Sequence, residues 1–231
     1  NFLTLSQWSP RKNFENTIKW WVEEFIDQEV GLIVKTNTVN NSITDRSHTN
    51  QRIQNLLEKY PNRKCKVYLL HGDLSEGQMT SLYRNNKVKS LINIAHGEGF
   101  GLPLFEAARE ALPIVTVGWS GHMDFLNHNG KNLFQEVEYT LQPVQKEAVW
   151  PGVIEADSMW AHADQGSYKM TLRDTYKNWD QAKAQAEELK TLVEEKFNEK
   201  TLFAGFVKHF YDEEKEKHIE QEIDQLLQDL L

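Results

Sequence analysis

Three glycines between an apolar run and an amphipathic segment constrain the fold of this chain more than any other feature of its sequence. Residues 90–95 are apolar enough to predict a buried strand, and Gly97, Gly99 and Gly101 follow at alternate positions. Pro103 stands where a first helical residue would stand, and the residues after it give that helix an apolar face. The sequence therefore predicts a strand, a glycine loop and a helix in direct succession.

This predicted loop has the properties of an anion-binding site. Glycine lets the backbone turn sharply and approach a ligand closely. The first N–H groups of a helix have no intrahelical acceptor, and they lie at the positive end of the helix dipole. We therefore expect a phosphate to bind the backbone of Gly99, Phe100, Gly101 and Leu102.

Two carboxylates accompany the loop, Glu98 within it and Glu106 about one turn into the helix. A carboxylate repels a phosphate, but its oxygens accept hydrogen bonds from hydroxyl groups. Both residues are therefore predicted to bind the hydroxyls of a sugar or a ribose. The alternative is that Glu106 only complements the helix dipole and that Glu98 is a solvated loop residue.

Apolar strands alternate with helical segments along most of the chain. Six strands are predicted, at residues 2–5, 30–34, 66–70, 90–95, 113–117 and 133–137. Because these strands are apolar and helices separate them, they predict an α/β fold, a Rossmann-like doubly wound parallel sheet followed by C-terminal helices. A ligand is expected at the carboxyl ends of the strands.

Two later segments carry weaker patterns. Residues 138–170 contain little regular periodicity and are predicted to be loops. Phe203, Phe206, Val207 and Phe210 form an apolar stripe on a predicted helix, and we expect that stripe to pack in the core.

The composition excludes several classes of protein. The 231 residues carry a net charge of −8, and no basic tract marks a nucleic-acid-binding surface. No apolar run reaches the length of a membrane span. Cys65 is the only cysteine, so no intrachain disulfide can form, and a reducing, cytoplasmic location is expected.

The glycine loop also resembles a known family signature. Residues 96–108 have the sequence His-Gly-Glu-Gly-Phe-Gly-Leu-Pro-Leu-Phe-Glu-Ala-Ala, and residues 112–115 are Leu-Pro-Ile-Val. Together they closely resemble the signature of GT-B glycosyltransferases, particularly glycosyltransferase family 4, whose two glutamates are separated by seven residues as Glu98 and Glu106 are. The resemblance extends over about residues 2–210. It implies that the chain is the C-terminal, donor-binding half of such an enzyme.

The family implies the reaction and its requirements. A sugar passes from a nucleotide-sugar donor to an acceptor with retention of anomeric configuration, and no metal or other cofactor is needed. In the family, a Gly-Arg pair and a later lysine bind the donor diphosphate. Lys12 matches that lysine, whereas Ser6 and Gln7 stand where Gly-Arg is usual. Arg11 is predicted to compensate; the alternative is that Arg11 and Lys12 are a solvated surface pair.

The resemblance therefore assigns Glu98, Lys12 and Arg11 to the catalytic site. Two further candidate residues follow strands at the carboxyl edge of the predicted sheet. Gly72 follows the third strand, where relatives of this fold contact the nucleotide base through the backbone. His122 follows the fifth strand and is predicted to contact phosphate or sugar, the alternative being an ordinary surface histidine.

The organisation and partners follow from the same resemblance. We expect residues 1–211 to form the nucleotide-sugar-binding domain and residues 212–231 to form an acidic amphipathic helix. The family's acceptor domain is expected to be missing here or to lie on another polypeptide, and the acceptor, whether glycan, lipid or protein, stays open. The alternative function is a nucleotide-sugar-binding subunit or sensor module without turnover. The C-terminal helix is expected to form a homo-oligomer through an apolar stripe at Ile219, Ile223, Leu226 and Leu230. The alternative is that it frays as an isolated helix too short to be stable in water.

Overall fold

The computed structural model describes residues 1–210 and 213–229. Its strands, in chain order, are β1 (Phe2–Leu5), β2 (Gly31–Lys35), β3 (Lys66–Leu70), β4 (Ser90–Asn93), β5 (Ile114–Val117), β6 (Asn127–His128), β7 (Lys131–Asn132), β8 (Gln135–Val137), β9 (Tyr139–Pro143) and β10 (Met159–Ala163). The helices are α1 (Phe14–Glu24), α2 (Ile43–Leu57), α3 (Glu76–Tyr83), α4 (Leu102–Arg109), α5 (Met123–Leu126), α6 (Gln165–Lys177), α7 (Trp179–Lys196), α8 (Glu199–Phe210) and α9 (Glu213–Asp229).

Six of the strands form one sheet in the order β3-β2-β1-β4-β5-β8, and every neighbouring pair is parallel. The predicted Rossmann-like parallel sheet is therefore confirmed. Connections between parallel strands follow a right-handed rule, which for this strand order puts α1 and α2 on one face and α3 and α4, which contact each other, on the opposite face. The strand order reverses between β1 and β4, and ligands of open α/β sheets bind at such a reversal. The loops after β1 and β4 therefore define where a ligand is expected.

Aromatic packing between β1 and α1 builds the core beneath these loops. Phe14, Ile18, Trp21 and Phe25 recur at helical spacing, and all four are buried. The Phe2 ring lies 6.1 Å from the Trp21 ring and 5.3 Å from the Phe25 ring. Each such buried side chain contributes about 1.5–3 kcal/mol by leaving water. This packing makes the start of α1 a rigid support for the loop that precedes it.

A buried carboxylate holds the loop after β2. Asp45, in the first turn of α2, accepts hydrogen bonds from the backbone N–H groups of Thr38 and Val39, and it lies 2.9 Å from His71 Nε2. Burial alone would raise the pKa of Asp45. The hydrogen bonds from His71, Thr38 and Val39 outweigh that effect and lower its pKa to about 2.

The prediction of loops over residues 138–170 is wrong towards both ends of the segment, where strands and a helix form. Residues 144–158 contain only a short 3-10 turn, Lys146–Ala148, and an isolated bridge. β9 and β10 pair as an antiparallel hairpin, and α6 begins at Gln165. The hairpin is attached to the residue before the glycine loop, because Ala161 N–H donates to the His96 carbonyl at 3.0 Å and His96 Nδ1 lies 2.6 Å from the Ala161 carbonyl oxygen. The His96 ring also stacks on Trp160 with centroids 4.6 Å apart. This tertiary contact stabilises a hairpin whose own residues carry a weak pattern.

The chain divides into two compact units, Asn1–Lys190 and Thr191–Leu231. The first contains the sheet, and the second contains the end of α7 with α8 and α9. The α8 stripe was predicted to pack in the core, but this is wrong, since its four residues are all exposed: Phe203, Phe206, Val207 and Phe210.

Part of the predicted C-terminal stripe can be located. Ile223 is exposed on α9. Leu230 and the side chains of Ile219 and Leu226 lie outside the described residues. The domain boundary at residue 211 and the homo-oligomer stay predictions. Over residues 1–210 and 213–229, no helix is both long and apolar enough to cross a membrane.

Candidate functional site

The loop after β1 carries both predicted cations and is tied to the loop after β4. Residues Pro10–Lys12 form a 3-10 turn, and Asn13 then adopts a left-handed conformation at the start of α1. The His96 N–H donates to the Arg11 carbonyl at 2.9 Å, and the Arg11 guanidinium donates to the Gly97 carbonyl. Arg11 is therefore held against the glycine loop by both its backbone and its side chain.

Glu98 and Lys12 form a close ion pair at this junction. Lys12 Nζ lies 2.6 Å from both carboxylate oxygens of Glu98, and Arg11 Nη1 lies 3.5 Å from Oε2. Asn93 Nδ2 donates to Oε1 at 2.9 Å. The Glu98 side chain is 7% exposed and that of Lys12 is 15% exposed. The alternative in which Glu98 is a solvated loop residue is therefore wrong, and so is a wholly solvated Arg11–Lys12 pair.

The charge of Glu98 is maintained by its partners. Burial alone would raise the pKa of this carboxylate, because desolvation disfavours its charged form. The Lys12 ammonium outweighs burial, with help from Asn93 and Arg11, and the net effect lowers the pKa of Glu98. The site therefore holds one ionised carboxylate against two cations, and its net charge is positive.

The glycine loop turns directly into α4, as predicted. Gly101 has φ of +82° as the N-cap of that helix, and Pro103 follows Leu102 in the first turn. A Cβ added at Gly99 would meet no atom within 4 Å, so the backbone there borders open space. Phe100 and Leu102 expose their side chains beside it. The start of α4 can thus be approached closely by a ligand, although the predicted phosphate contacts of residues 99–102 stay a prediction.

The loop after β5 closes the site from the other side. His122 is buried; its Nε2 lies 2.8 Å from the Val117 carbonyl oxygen, so Nε2 carries the hydrogen. Its Nδ1 is buried without a hydrogen-bond partner among the described residues. Burial lowers the pKa of His122, and the Val117 carbonyl and Glu98 only partly offset this effect. The alternative of a surface histidine is wrong, while a contact of His122 with a ligand stays a prediction.

Glu106 faces a different surface from Glu98. Its Oε2 accepts a hydrogen bond from the Tyr83 hydroxyl at 2.8 Å, and burial together with Glu106 raises the pKa of Tyr83. A pocket of about 630 Å³ opens between α3 and α4. The residues lining it include Leu74, Met79, Thr80, Leu102, Phe105 and Glu106. The structure therefore brings Glu98, Lys12 and Arg11 together, and it gives Glu106 a separate, partly apolar pocket.

Gly72 lies at the same rim, with its carbonyl already engaged. Its φ is +105°, a conformation in which glycine is favoured, and its carbonyl accepts a hydrogen bond from Lys35 Nζ at 2.7 Å. Just beyond it, Ser75 and Gln78 form a capping box that starts α3. Leu74, between Gly72 and this cap, contributes to the pocket beside Glu106.

Sequence reasoning missed three residues of this site. Asn93 was visible as a polar residue inside an apolar strand, and it binds Glu98. Tyr83 ends α3, and its hydroxyl binds Glu106. Ser120 binds the backbone of Glu98 through its side chain, and no sequence pattern indicated this contact.

Similar folds are found among solved structures of glycosyltransferases. The C-terminal domain of a glycosyl transferase group 1 family protein (LpcC) from Francisella tularensis matches with a TM-score of 0.56 and 12% identity over 86% of each chain. Sucrose-phosphate synthase from Thermosynechococcus elongatus matches with a TM-score of 0.61 and 14% identity over 90% of this chain and 44% of that one. Anabaena HepE in complex with UDP-glucose matches with a TM-score of 0.57 and 15% identity over 90% and 48%.

The chain thus spans less than half of the length of the last two proteins. No protein-family model matches the chain, and no curated protein sequence matches it either. The six-stranded parallel sheet with its flanking helices is the fold of the C-terminal domains of GT-B glycosyltransferases.

Proposed function

We propose that this chain is the donor-binding domain of a glycosyltransferase and binds a nucleotide-sugar. The observation that carries the proposal is the buried Lys12–Glu98 ion pair, which lies at the reversal of strand order beside the start of α4. The resemblance of residues 96–115 to glycosyltransferase family 4 supports it, and so does the similar fold of HepE, whose structure is in complex with UDP-glucose.

The donor diphosphate is assigned to the two cations and the glycine loop. An ammonium has three N–H donors, and two of those on Lys12 point to the Glu98 oxygens, which leaves one for a phosphate oxygen. The Arg11 guanidinium has five donors and its side chain is 40% exposed, so it also keeps donors for a ligand. The start of α4 adds N–H groups at the positive end of a helix dipole. All three groups favour an anion at one place.

The nucleoside is assigned to the pocket between α3 and α4. Glu106 has a second carboxylate oxygen that can accept hydrogen bonds from ribose hydroxyls, since its Oε2 already accepts from Tyr83. The apolar side chains of Leu74 and Met79 offer a surface for the base. Because the Gly72 carbonyl is engaged by Lys35, we place the base nearer to Leu74.

This arrangement also suggests how transfer proceeds. When the bond from the anomeric carbon to the diphosphate breaks, its electron pair stays on the phosphate oxygen. The hydroxyl oxygen of the acceptor forms the new bond to the anomeric carbon, and the hydroxyl proton passes to the departing diphosphate. Lys12, Arg11 and the N–H groups of the glycine loop would then stabilise the growing negative charge, which is the function of a preorganised electrostatic site. We propose that these groups make a metal unnecessary and that anomeric configuration is retained, both as the family resemblance implies.

Ligand binding tests this function directly. We expect UDP, GDP or ADP, or the corresponding glucose conjugate, to raise the melting temperature of the chain, since a ligand of the folded state stabilises it by mass action. Lys12→Met should weaken binding of that ligand in calorimetry by about 1.5–3 kcal/mol, as expected for a lost charged hydrogen bond. Lys131→Met removes a cation from an exposed pair with Glu188 and serves as the matched control. Absence of binding by all six compounds would refute the proposed function.

A further inference from the structure

Ser120 has an unusual backbone conformation for a residue with a side chain. Its φ is +96°, in the region that glycine favours and that L side chains rarely adopt. A fold keeps such a strained residue only where the surrounding structure determines it, and such residues cluster at functional sites. The contacts of Ser120 therefore indicate the function of this strained backbone conformation.

The Ser120 side chain holds both polar groups of the Glu98 backbone. Its Oγ accepts a hydrogen bond from the Glu98 N–H at 3.1 Å and donates one to the Glu98 carbonyl at 2.7 Å. The Gly121 N–H donates to the same carbonyl at 3.0 Å. A Cβ added at Gly121 would lie 1.7 Å from the Gly99 carbonyl oxygen, so the two loops are in direct contact. A shorter or apolar side chain at residue 120 could not make both hydrogen bonds.

The side chain of Glu98, in contrast to its backbone, pairs with the two cations of the site. Its carboxylate binds Lys12 and lies 3.5 Å from Arg11, so a rotation of the Glu98 backbone would move the partner of both cations. We propose that Ser120 is a positioning residue of the donor site. Its hydroxyl fixes the Glu98 backbone, and Glu98 in turn directs Lys12 and Arg11 toward the diphosphate. This inference rests on the proposed donor-binding function.

Two substitutions separate positioning from a purely structural role. Ser120→Ala and Ser120→Gly both remove the hydroxyl, but only the glycine variant relieves the strain of the positive φ. If Ser120 positions Glu98, donor affinity depends on the hydroxyl, and both variants lose the same amount of affinity. If Ser120 is only structural, affinity follows stability, and the glycine variant stays closer to the wild type.

The experiment uses the full chain and measures three quantities for each variant. These are the melting temperature, the affinity for UDP, GDP and ADP by calorimetry, and the hydrogen exchange of residues 97–101 without ligand. We expect both variants to bind the diphosphate about threefold to tenfold more weakly than the wild type, because a looser site must be ordered on binding. We also expect faster exchange in residues 97–101 for both, and a higher melting temperature for Ser120→Gly than for Ser120→Ala.

Ala111→Gly is the matched control. Ala111 also has a positive φ, of +50°, and it lies past the far end of α4 from the glycine loop. This variant should shift the melting temperature and leave diphosphate affinity and exchange of residues 97–101 unchanged. Ser120→Thr keeps the hydroxyl and should keep the affinity even where its β-branched side chain lowers stability.

Three results would contradict the positioning role of Ser120 or the donor-binding function, and each result can be distinguished from the other two. Wild-type affinity in Ser120→Gly together with a loss in Ser120→Ala overturns the positioning role. Unchanged exchange of residues 97–101 in both variants overturns it as well, whether or not a ligand binds. If the wild type binds none of the three diphosphates but exchange rises in both variants, Ser120 fixes the loop and the donor-binding function is the part that fails.

Discussion

The coupling energy between Lys12 and Glu98 should be several times that of a surface ion pair of the same length. Lys12 Nζ lies 2.6 Å from Glu98, with both side chains largely buried, whereas Lys131 Nζ lies 2.7 Å from Glu188, with side chains 61% and 47% exposed. Water screens the second pair far more than the first, and it also solvates either partner of the second pair when the other is removed. The two pairs therefore differ mainly in burial, and they form a natural comparison.

Single substitutions should be costly at the buried pair. Lys12→Met leaves the Glu98 carboxylate buried with Asn93 and a more distant Arg11, and we expect a loss of about 3 kcal/mol in unfolding free energy. Glu98→Gln leaves Lys12, which is nearer to solvent, and we expect a smaller loss of about 1–3 kcal/mol. The double variant removes both charges and should lose less than the sum. The predicted coupling energy is about 2 kcal/mol.

The assay is urea unfolding followed by tryptophan fluorescence at neutral pH, for the wild type, both single variants and the double variant. The same cycle with Lys131→Met and Glu188→Gln should give a coupling of about 0.5 kcal/mol or less. Equal coupling energies in the two cycles would refute the argument that burial strengthens the site pair.

The pH dependence of the unfolding free energy is a second test of what the same ion pair contributes to stability. The pKa of Glu98 is lower in the folded protein than its ordinary value of 4.5. The stability that it contributes is therefore complete above about pH 4.5 and is lost as the pH falls through its folded pKa. The unfolding free energy of Glu98→Gln should therefore fall less than that of the wild type below about pH 4.5. The part of the acid-induced fall that other groups cause should be unchanged.

Three further predictions concern other contacts. Gly121→Ala should lower the free energy of unfolding by about 1–3 kcal/mol or more in urea denaturation, because the new Cβ would overlap the backbone carbonyl of Gly99. Tyr83→Phe should cost about 1.5–3 kcal/mol in the same assay by removing the hydrogen bond to Glu106, and an unchanged stability would mean that this bond is absent in solution. The pKa of Asp45 is about 2 in the folded protein against 3.8 ordinarily, so its contribution is present above about pH 4 and is lost as the pH falls through 2. The melting temperature of Asp45→Asn should therefore fall less than that of the wild type between pH 4 and pH 2.

The strands and the glycine loop could be predicted because their signals are local. The predicted strands at residues 2–5 and 66–70 coincide with β1 and β3, and the others differ by a few residues at their ends. Apolar runs, capping residues and glycines act on their immediate neighbours, so a short window of sequence contains the information. The capping box of Ser75 and Gln78, three residues apart, is an interaction of this local kind.

The wrong predictions have a common physical cause. β9 and β10 are short, and each becomes stable only by pairing with the other and by packing on His96. The α8 stripe has helical spacing, but spacing alone does not tell whether a face is covered. In both cases a local pattern does not specify the tertiary environment, which for the hairpin depends on His96, far away in the sequence.

By itself, the sequence determined the alternation of strands and helices, the glycine loop and the presence of two cations and two carboxylates near strand ends. Only the tertiary structure decided which of these groups meet. Lys12 and Glu98 are 86 residues apart, and they form an ion pair because β1 and β4 are neighbours where the strand order reverses. Ser120 is 22 residues from Glu98 and binds its backbone because β5 lies beside β4. Periodicity predicts which face of a helix or strand is apolar, whereas the order of the strands in the sheet determines which residues of two loops meet.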